Sequence, residues 1–283
     1  MHGKTCVITG ATSGIGLAAA VALAARGAEL ALVGRDRARG EAALARVRAA
    51  VPGARATMHY ADLLRRSEVR RLGVELLATY PRIDVLVNNA GALFQRREVT
   101  EDGLERTFAL NHMAYFRLTR FLQERLIASA PARVVSVASR AHRRATGLDF
   151  DDLNLELEYN GWTAYSRSKL ANILFTRALA RRLAGTGVTA NCLHPGFVAS
   201  RFGDNNRGVF RWSLGVGKRL FAISQARGAE TVIYLASDPS VAATSGGYFA
   251  DSKPATPTAA AHDDRAAERL WEISVKLMEA PSR

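Results

Sequence analysis

Short apolar runs recur along the chain, separated by longer stretches with helical character. Residues 4–9, Ala28–Val33, Ala56–Tyr60, Ile83–Asn88, Arg133–Ala138 and Val188–Leu193 have the length and apolar content of strands. The run at 83–88 reads as a strand buried on both faces, as parallel strands are. Between the runs, helices are predicted at the alanine-rich Leu17–Arg26, from near Ala38, across Ser67–Thr79, around Leu104–Leu126 and over Tyr165–Leu183. This repeated strand–helix order predicts an α/β fold with one doubly wound parallel sheet. Ligands of such sheets sit outside the carboxyl ends of the strands.

Composition narrows the picture without changing it. The chain has 283 residues, enough for one large α/β domain or two small ones, and its 48% hydrophobic content is that of a globular protein. A net charge of +13 suits an acidic partner such as nucleic acid or anionic lipid. The cations, however, are interleaved with acids and form no basic tail or aromatic-basic stripe, so nucleic-acid binding is not expected. No run approaches the roughly 18 apolar residues of a membrane span, and Met1 is followed by a strand rather than a secretory h-region. Cys6 and Cys192 lie in separate strand-like runs, which reads as buried thiols in a reducing compartment. No His/Asp/Glu cluster suggests a metal.

Candidate chemistry gathers at the strand ends. Thr9-Gly10-Ala11-Thr12-Ser13-Gly14-Ile15-Gly16 joins the first strand to the first helix. Glycines there let a phosphate approach the backbone, and a helix N-terminus offers free N–H groups. The spacing is Gly-x-x-x-Gly-x-Gly rather than Gly-x-Gly-x-x-Gly, so a structural turn is the alternative. Arg35 follows the second strand, 19 residues after Gly16, where its guanidinium suits a 2′-phosphate and favours NADP(H) over NAD(H). Asp36 either caps the next helix or meets a ribose. Tyr165 and Lys169 are four residues apart, hence on one helix face. An ammonium beside a phenol lowers the phenol's pKa toward values useful in acid–base catalysis.

These motifs together resemble the short-chain dehydrogenase/reductase family over nearly the whole chain. Thr9-Gly10-x-x-x-Gly14-Ile15-Gly16, Asn88-Asn89-Ala90-Gly91, Asn111, Ser139, Tyr165-x-x-x-Lys169 and Pro195-Gly196 stand in the family's order. The resemblance implies a Rossmann fold of about seven parallel strands in one catalytic domain, residues 1–283. It also implies hydride transfer between a nicotinamide and a carbonyl or alcohol. By the same resemblance, the catalytic group is Asn111, Ser139, Tyr165 and Lys169. Tyr165 would protonate the developing alkoxide, Ser139 would hold the carbonyl oxygen, Lys169 would tune Tyr165 and bind ribose, and Asn111 would hold a water. The cofactor would be held by Gly10, Thr12, Ser13, Gly14, Ile15, Gly16, Arg35, Asp62, Leu63, Asn89, Ala90, Gly91, Tyr165, Lys169, Pro195, Gly196, Val198 and Ser200, the last standing where the family often has threonine.

Ser139-Arg140-Ala141-His142, Asp149-Phe150-Asp151-Asp152-Leu153-Asn154, Gly247-Tyr248-Phe249-Ala250-Asp251 and Glu268-Arg269-Leu270-Trp271 further resemble the retinol-dehydrogenase-like branch, which includes the WW-domain-containing oxidoreductase. WW domains and the branch's membrane anchor have no counterpart, so a cytoplasmic protein is expected. Family resemblance and the apolar surplus of the two long helices imply a homodimer. Residues 197–224 would form a substrate lid. Its Phe202, Phe210, Trp212 and Phe221 favour a lipophilic carbonyl, retinal-like or fatty, while His142, Arg143 and Arg144 either border the pocket or face water. His112 reads as structural. A non-catalytic NADP-sensing regulator and an epimerase or dehydratase are the alternative functions.

Overall fold

The computed structural model describes residues 1–196 and 224–280. Its strands are β1 (Thr5–Thr9), β2 (Glu29–Gly34), β3 (Ala56–Tyr60), β4 (Val85–Asn88), β5 (Ala132–Val137), β6 (Val188–Leu193), β7 (Tyr248–Ala250) and β8 (Lys253–Pro254). They form one sheet in the order β3-β2-β1-β4-β5-β6-β7-β8. The seven expected parallel strands are present. A two-residue eighth strand, β8, turns back antiparallel on β7. The order reverses between β1 and β4, so the chain leaves a crevice there at the strands' carboxyl ends.

Alternation along each strand divides the core between the two faces. Cys6 and Ile8 of β1 point with Leu30, Leu32, Val85 and Val87 toward α1 (Gly14–Ala24), α2 (Arg37–Ala50) and α7 (Gln225–Ser237). Val7 points with Ala31, Leu86 and Val134 toward α3 (Arg66–Thr79), α5 (Ala114–Ala128) and α6 (Gly161–Arg182). Every β1 side chain is buried, as a central parallel strand requires. Both cysteines are free and buried as expected, and burial pushes each thiol up to about 12.

The predicted helix around Leu104–Leu126 is not one regular α-helix. The buried carboxylate of Glu105 accepts the Thr107 and Phe108 N–H groups at 2.8 Å each and starts α4 (Arg106–Phe108). A π-helical turn, Ala109–Met113, follows before α5. Asn111 stands inside that wider turn, a feature that often marks functional positions.

Helix α6 carries Tyr165 and Lys169 and is fixed at both ends. The Asn160 side chain caps it by accepting from the Trp162 and Thr163 N–H groups at 2.9 and 3.2 Å. Toward its C-terminus Phe175 stacks on Trp271 of α8 (Asp264–Glu279), ring centroids 6.0 Å apart, and Phe116 of α5 meets the same indole edge-on at 5.0 Å. His112 completes this cluster, fully buried with Nε2 2.9 Å from the Ser274 hydroxyl. Burial drops its pKa to about 3, so it is neutral and structural, as read from the sequence. The apolar surplus of α6 that suggested a partner subunit is therefore covered, at least here, by α8 of the same chain.

Replacing Trp271 by alanine removes the ring shared by three helices. Urea unfolding should show a loss of about 3–5 kcal/mol. A loss below about 1 kcal/mol would mean that α8 does not hold α6 in place.

Candidate active site

The end of β1, the start of α1 and the end of β4 meet with no room for a side chain. Gly10 has φ +66°, and a Cβ there would lie 2.9 Å from the Ala90 Cα. A Cβ on Gly16 would lie 2.5 Å from the Gly10 carbonyl oxygen and 2.6 Å from Asn89 Nδ2. The Thr9 hydroxyl ties the junction by accepting from the Asn89 and Ala90 N–H groups at 2.9 and 3.1 Å, while Asn89 Nδ2 donates to the Thr9 carbonyl at 2.8 Å. Ser13 precedes α1 with extended backbone and its side chain makes no capping hydrogen bond. The first N–H groups of α1 thus lack a side-chain cap, beside a glycine cradle. This is the arrangement a dinucleotide's phosphates require, and the residues fit that group.

The adenosine side of the crevice is built from the neighbouring strand ends. Thr12 packs so closely on β2 that a Cβ on Gly34 would lie 2.5 Å from its methyl group. Arg35 follows, exposed, and no hydrogen bond or ion pair engages it among the described residues. Asp36 proves to be the cap of α2, accepting the Arg39 N–H at 2.9 Å. Asp62 closes the turn after β3 by accepting the Leu64 N–H at 3.2 Å, and Leu63 is buried beside it. At the end of β6, Gly196 takes φ +78° after Pro195 and donates its N–H to His194 Nδ1 at 3.1 Å. Val198, Ser200 and the lid residues lie outside the described residues, apart from Ser224, which caps α7.

The four expected catalytic residues converge above β4 and β5. Lys169 Nζ donates to the Val137 carbonyl at 2.9 Å, at the end of β5. It stands 5.7 Å from the ring centroids of both Tyr165 and Tyr115. The Ser139 hydroxyl lies near the Tyr165 phenol, close enough to favour its ionised form. Gly91 leaves the gap between the remaining groups, since a Cβ on it would come 3.1 Å from Asn111 Oδ1 and 3.4 Å from Lys169 Nζ.

Asn111 is locked by the protein. Its amide donates to the Ala92 carbonyl at 2.9 Å and its oxygen accepts the Ala92 N–H at 2.9 Å. The same Nδ2 donates to Ser168 Oγ at 3.0 Å, and Ser168 donates to the Tyr165 carbonyl at 2.7 Å. Ser168 therefore links the π turn to the backbone of the tyrosine, a role the sequence reading missed. Its only signal was a hydroxyl residue between Tyr165 and Lys169. Tyr115 was missed too, although it follows Asn111 by one helical turn. Its hydroxyl is buried with no partner among the described residues.

Electrostatics depart from the expected pattern. Burial pushes the Tyr165 phenol up to about 12, with the nearby Ser139 hydroxyl opposing that rise. Burial also drops the Lys169 ammonium to about 7. The lowered Tyr165 pKa expected from Lys169 is thus not seen in the free protein, where burial carries the net shift upward. Loss of water around both groups sets the direction of each shift, and Lys169 meets only the neutral Val137 carbonyl.

The flanking residues divide. His142 is fully buried rather than facing a pocket or water. Exposed Arg143 donates to the Thr256 carbonyl at 2.9 Å. Arg144 lies 5.1 Å over the Trp162 ring, which itself meets Tyr165 edge-on at 6.3 Å. A 210 Å³ cleft opens there, lined among others by Arg144, Thr146, Trp162 and Ser166. The insert before α6 docks on the loop preceding α4: Asn154 Oδ1 accepts the Glu105 N–H at 3.0 Å, and Tyr159 donates to the Phe94 carbonyl at 2.9 Å. No group of three or more potential metal-ligating side chains occurs among the described residues.

Known proteins share this architecture. The family model for the short chain dehydrogenase matches residues 4–208. Human retinol dehydrogenase 14 is 42% identical over 296 residues, covering 97% of this chain and 86% of the relative. Among solved structures, an uncharacterized protein from Mycobacterium paratuberculosis aligns with a TM-score of 0.78 and 32% identity over 100% of this chain and 96% of that one. A short chain dehydrogenase from Burkholderia cenocepacia in complex with NADP aligns at 0.70 with 26% identity, over 88% of this chain and 96% of that one.

The depressed Lys169 makes stability pH-dependent in the free protein. In the unfolded chain lysine ionises near 10.4, so from about pH 7 to about pH 10 the unfolded state holds the extra proton. Stability therefore rises with pH across that window and is lost as pH falls. Tyr165 acts only above about pH 10. Urea unfolding without cofactor, at about pH 7 and about pH 9, should show wild type gaining stability relative to Lys169→Met. A flat or reversed difference would contradict the burial of an ionisable Lys169.

Proposed function

The chain belongs to the short chain dehydrogenase family, oxidoreductases acting on CH–OH and C=O groups, and on that premise we propose that it interconverts a lipophilic carbonyl and its alcohol with NADP(H). One observation carries the reading: the Ser139–Tyr165–Lys169 cluster stands at the carboxyl end of β5, beside the glycine crevice between β1 and β4. Gly10, Ser13, Gly14, Ile15 and Gly16 hold the diphosphate by backbone N–H groups, and Arg35 meets the 2′-phosphate. The bound nicotinamide supplies or accepts the hydride.

The proton is the protein's part. In reduction, Tyr165 donates its phenolic proton to the carbonyl oxygen as negative charge develops there. Ser139 Oγ hydrogen-bonds the same oxygen and stabilises that charge. A phenol at about 12 in the free protein holds its proton until it is needed. The phenolate left behind is stabilised by Lys169, which at about 7 is readily reprotonated near neutral pH. Asn111 and Ser168 fix the backbone of Tyr165 so that its hydroxyl and Ser139 converge on one atom. In oxidation the proton runs the other way.

Support for the apolar substrate comes from the names of the relatives and from the aromatic content of residues 197–224. Support for NADP(H) comes from the unengaged Arg35 at the end of β2, with Asp36 committed to capping. A homodimer completes the reading and rests on family resemblance; among the described residues no helix is long and apolar enough to cross a membrane.

Turnover of retinaldehyde, a medium-chain aldehyde and glyceraldehyde with NADPH and with NADH tests the proposal. Retinaldehyde or the aldehyde with NADPH should give the highest kcat/KM, and glyceraldehyde with NADH the lowest. Arg35→Ala should remove about one to two decades of NADPH preference, the value of a lost charge-assisted contact. No cofactor consumption with any carbonyl would overturn the oxidoreductase reading. A preference that survives Arg35→Ala would remove that residue as the 2′-phosphate reader.

A further inference from the structure

Ser139 must hold its hydroxyl where strand β5 ends and regular hydrogen bonding stops. Its side chain accepts the Ala141 N–H at 3.1 Å and begins a single 3-10 turn, Arg140–Arg144. Its carbonyl is held twice by one residue. The His142 N–H donates to it at 3.1 Å, and His142 Nδ1 lies 2.7 Å from the same oxygen.

The other ring nitrogen is also engaged. The Thr258 N–H, from the segment after β8, points at His142 Nε2 at 3.3 Å. A carbonyl at Nδ1 and an N–H at Nε2 together assign the tautomer: hydrogen on Nδ1, a lone pair on Nε2, and no charge. The ring is fully buried, edge-on to Tyr248 of β7 at 5.2 Å. Burial holds its pKa below the ordinary imidazole value, consistent with the neutral form. Among the charged and titratable groups, the adjacent Arg143 and the nearby His194 and Tyr248 surround it.

We infer that His142 is a positioning residue for Ser139, clamping the serine's peptide to the C-terminal segment so that Oγ stays aimed at the reacting oxygen. The inference rests on the role given to Ser139 above. His142 touches no reacting atom and acts only through the serine. Its Nδ1 bond fixes the carbonyl whose swing would rotate the Ser139 side chain. Its Nε2 bond and the Tyr248 contact fix the ring itself. An error of about 1 Å in a group that stabilises developing charge lowers rate up to about a hundredfold, and it does so in the transition state more than in substrate binding.

Two amides separate positioning from simple packing. Asparagine places a donor where Nδ1 stands, whereas glutamine places its amide where Nε2 stands. Steady-state kinetics with NADPH and the best aldehyde of the panel should show His142→Ala losing about ten- to a hundredfold in kcat with little change in KM. His142→Asn should recover most of that loss, and His142→Gln should not. In a Ser139→Ala background, His142→Ala should cost little more, because its route to the chemistry is gone. Equal rates for the Asn and Gln variants, both folded by circular dichroism, would overturn the proposal. So would a full additional loss in the Ser139→Ala background. If Ser139→Ala alone keeps wild-type rate, the role of Ser139 fails first, and the Asn/Gln comparison still reads whether His142 affects turnover by its Nδ1 bond.

Discussion

The structure is organised around the cost of burying a lysine. Lys169 sits 3% exposed with its nitrogen on the Val137 carbonyl, where β5 ends. An ammonium in that place has lost its water and gained one neutral acceptor, so its charge is penalised. The surrounding sequence reads as accommodation of that group. Gly91 has no side chain because Lys169 and Asn111 occupy the space. The π turn sets Asn111 against Ala92, and Ser168 relays that contact to Tyr165. Aromatic packing of Trp271 on Phe175 and Phe116 keeps α6 where all of this can happen.

Much of the fold was legible because parallel strands declare themselves. Val85, Leu86 and Val87 are apolar on both faces of β4, and β1 packs both faces as expected. Glycines at 10, 14 and 16 were legible as a cradle, and the structure supplies the reason: an added Cβ on Gly10 or Gly16 would strike backbone just past the end of β4 or β1. Tyr165 and Lys169 were legible by spacing as neighbours on one helix face, and as a catalytic pair only through the motifs that accompany them. What spacing could not show was solvent. A cation near a phenol predicts a lowered pKa only where its attraction exceeds the cost of taking the charges out of water, and here burial shifts both groups toward neutrality. The setting of Asn111 was hidden as well, because it is held by Ala92, 19 residues away in sequence. The cover of α6 by α8 was hidden for the same reason, residues 175 and 271 being joined only by the fold.

Charge tells a similar story. A sequence with net charge +13 invites an acidic partner, yet several of its arginines are engaged within the chain. Arg177, Arg181 and Arg182 of α6 meet Asp264 and Glu268 of α8 in a shared network, and Arg182 also lies 4.2 Å over the Trp271 ring. These partly exposed pairs contribute modestly one by one. Their placement matters more than their strength, since they align the helix that carries Tyr165. Arg35 differs in having no such internal partner among the described residues, which is why it is available to a ligand.

Proton donation by Tyr165 is the claim on which the account stands, and Tyr165→Phe examines it with the least disturbance, because the ring and its packing on Trp162 remain. Fluorescence titration should give an NADPH affinity close to wild type. Single-turnover reduction of the preferred aldehyde by the same preparation should be lost, by at least about three decades if proton transfer and oxyanion stabilisation both depend on the phenol. A variant that binds NADPH normally and still reduces the aldehyde at a tenth of the wild-type rate would contradict the mechanism.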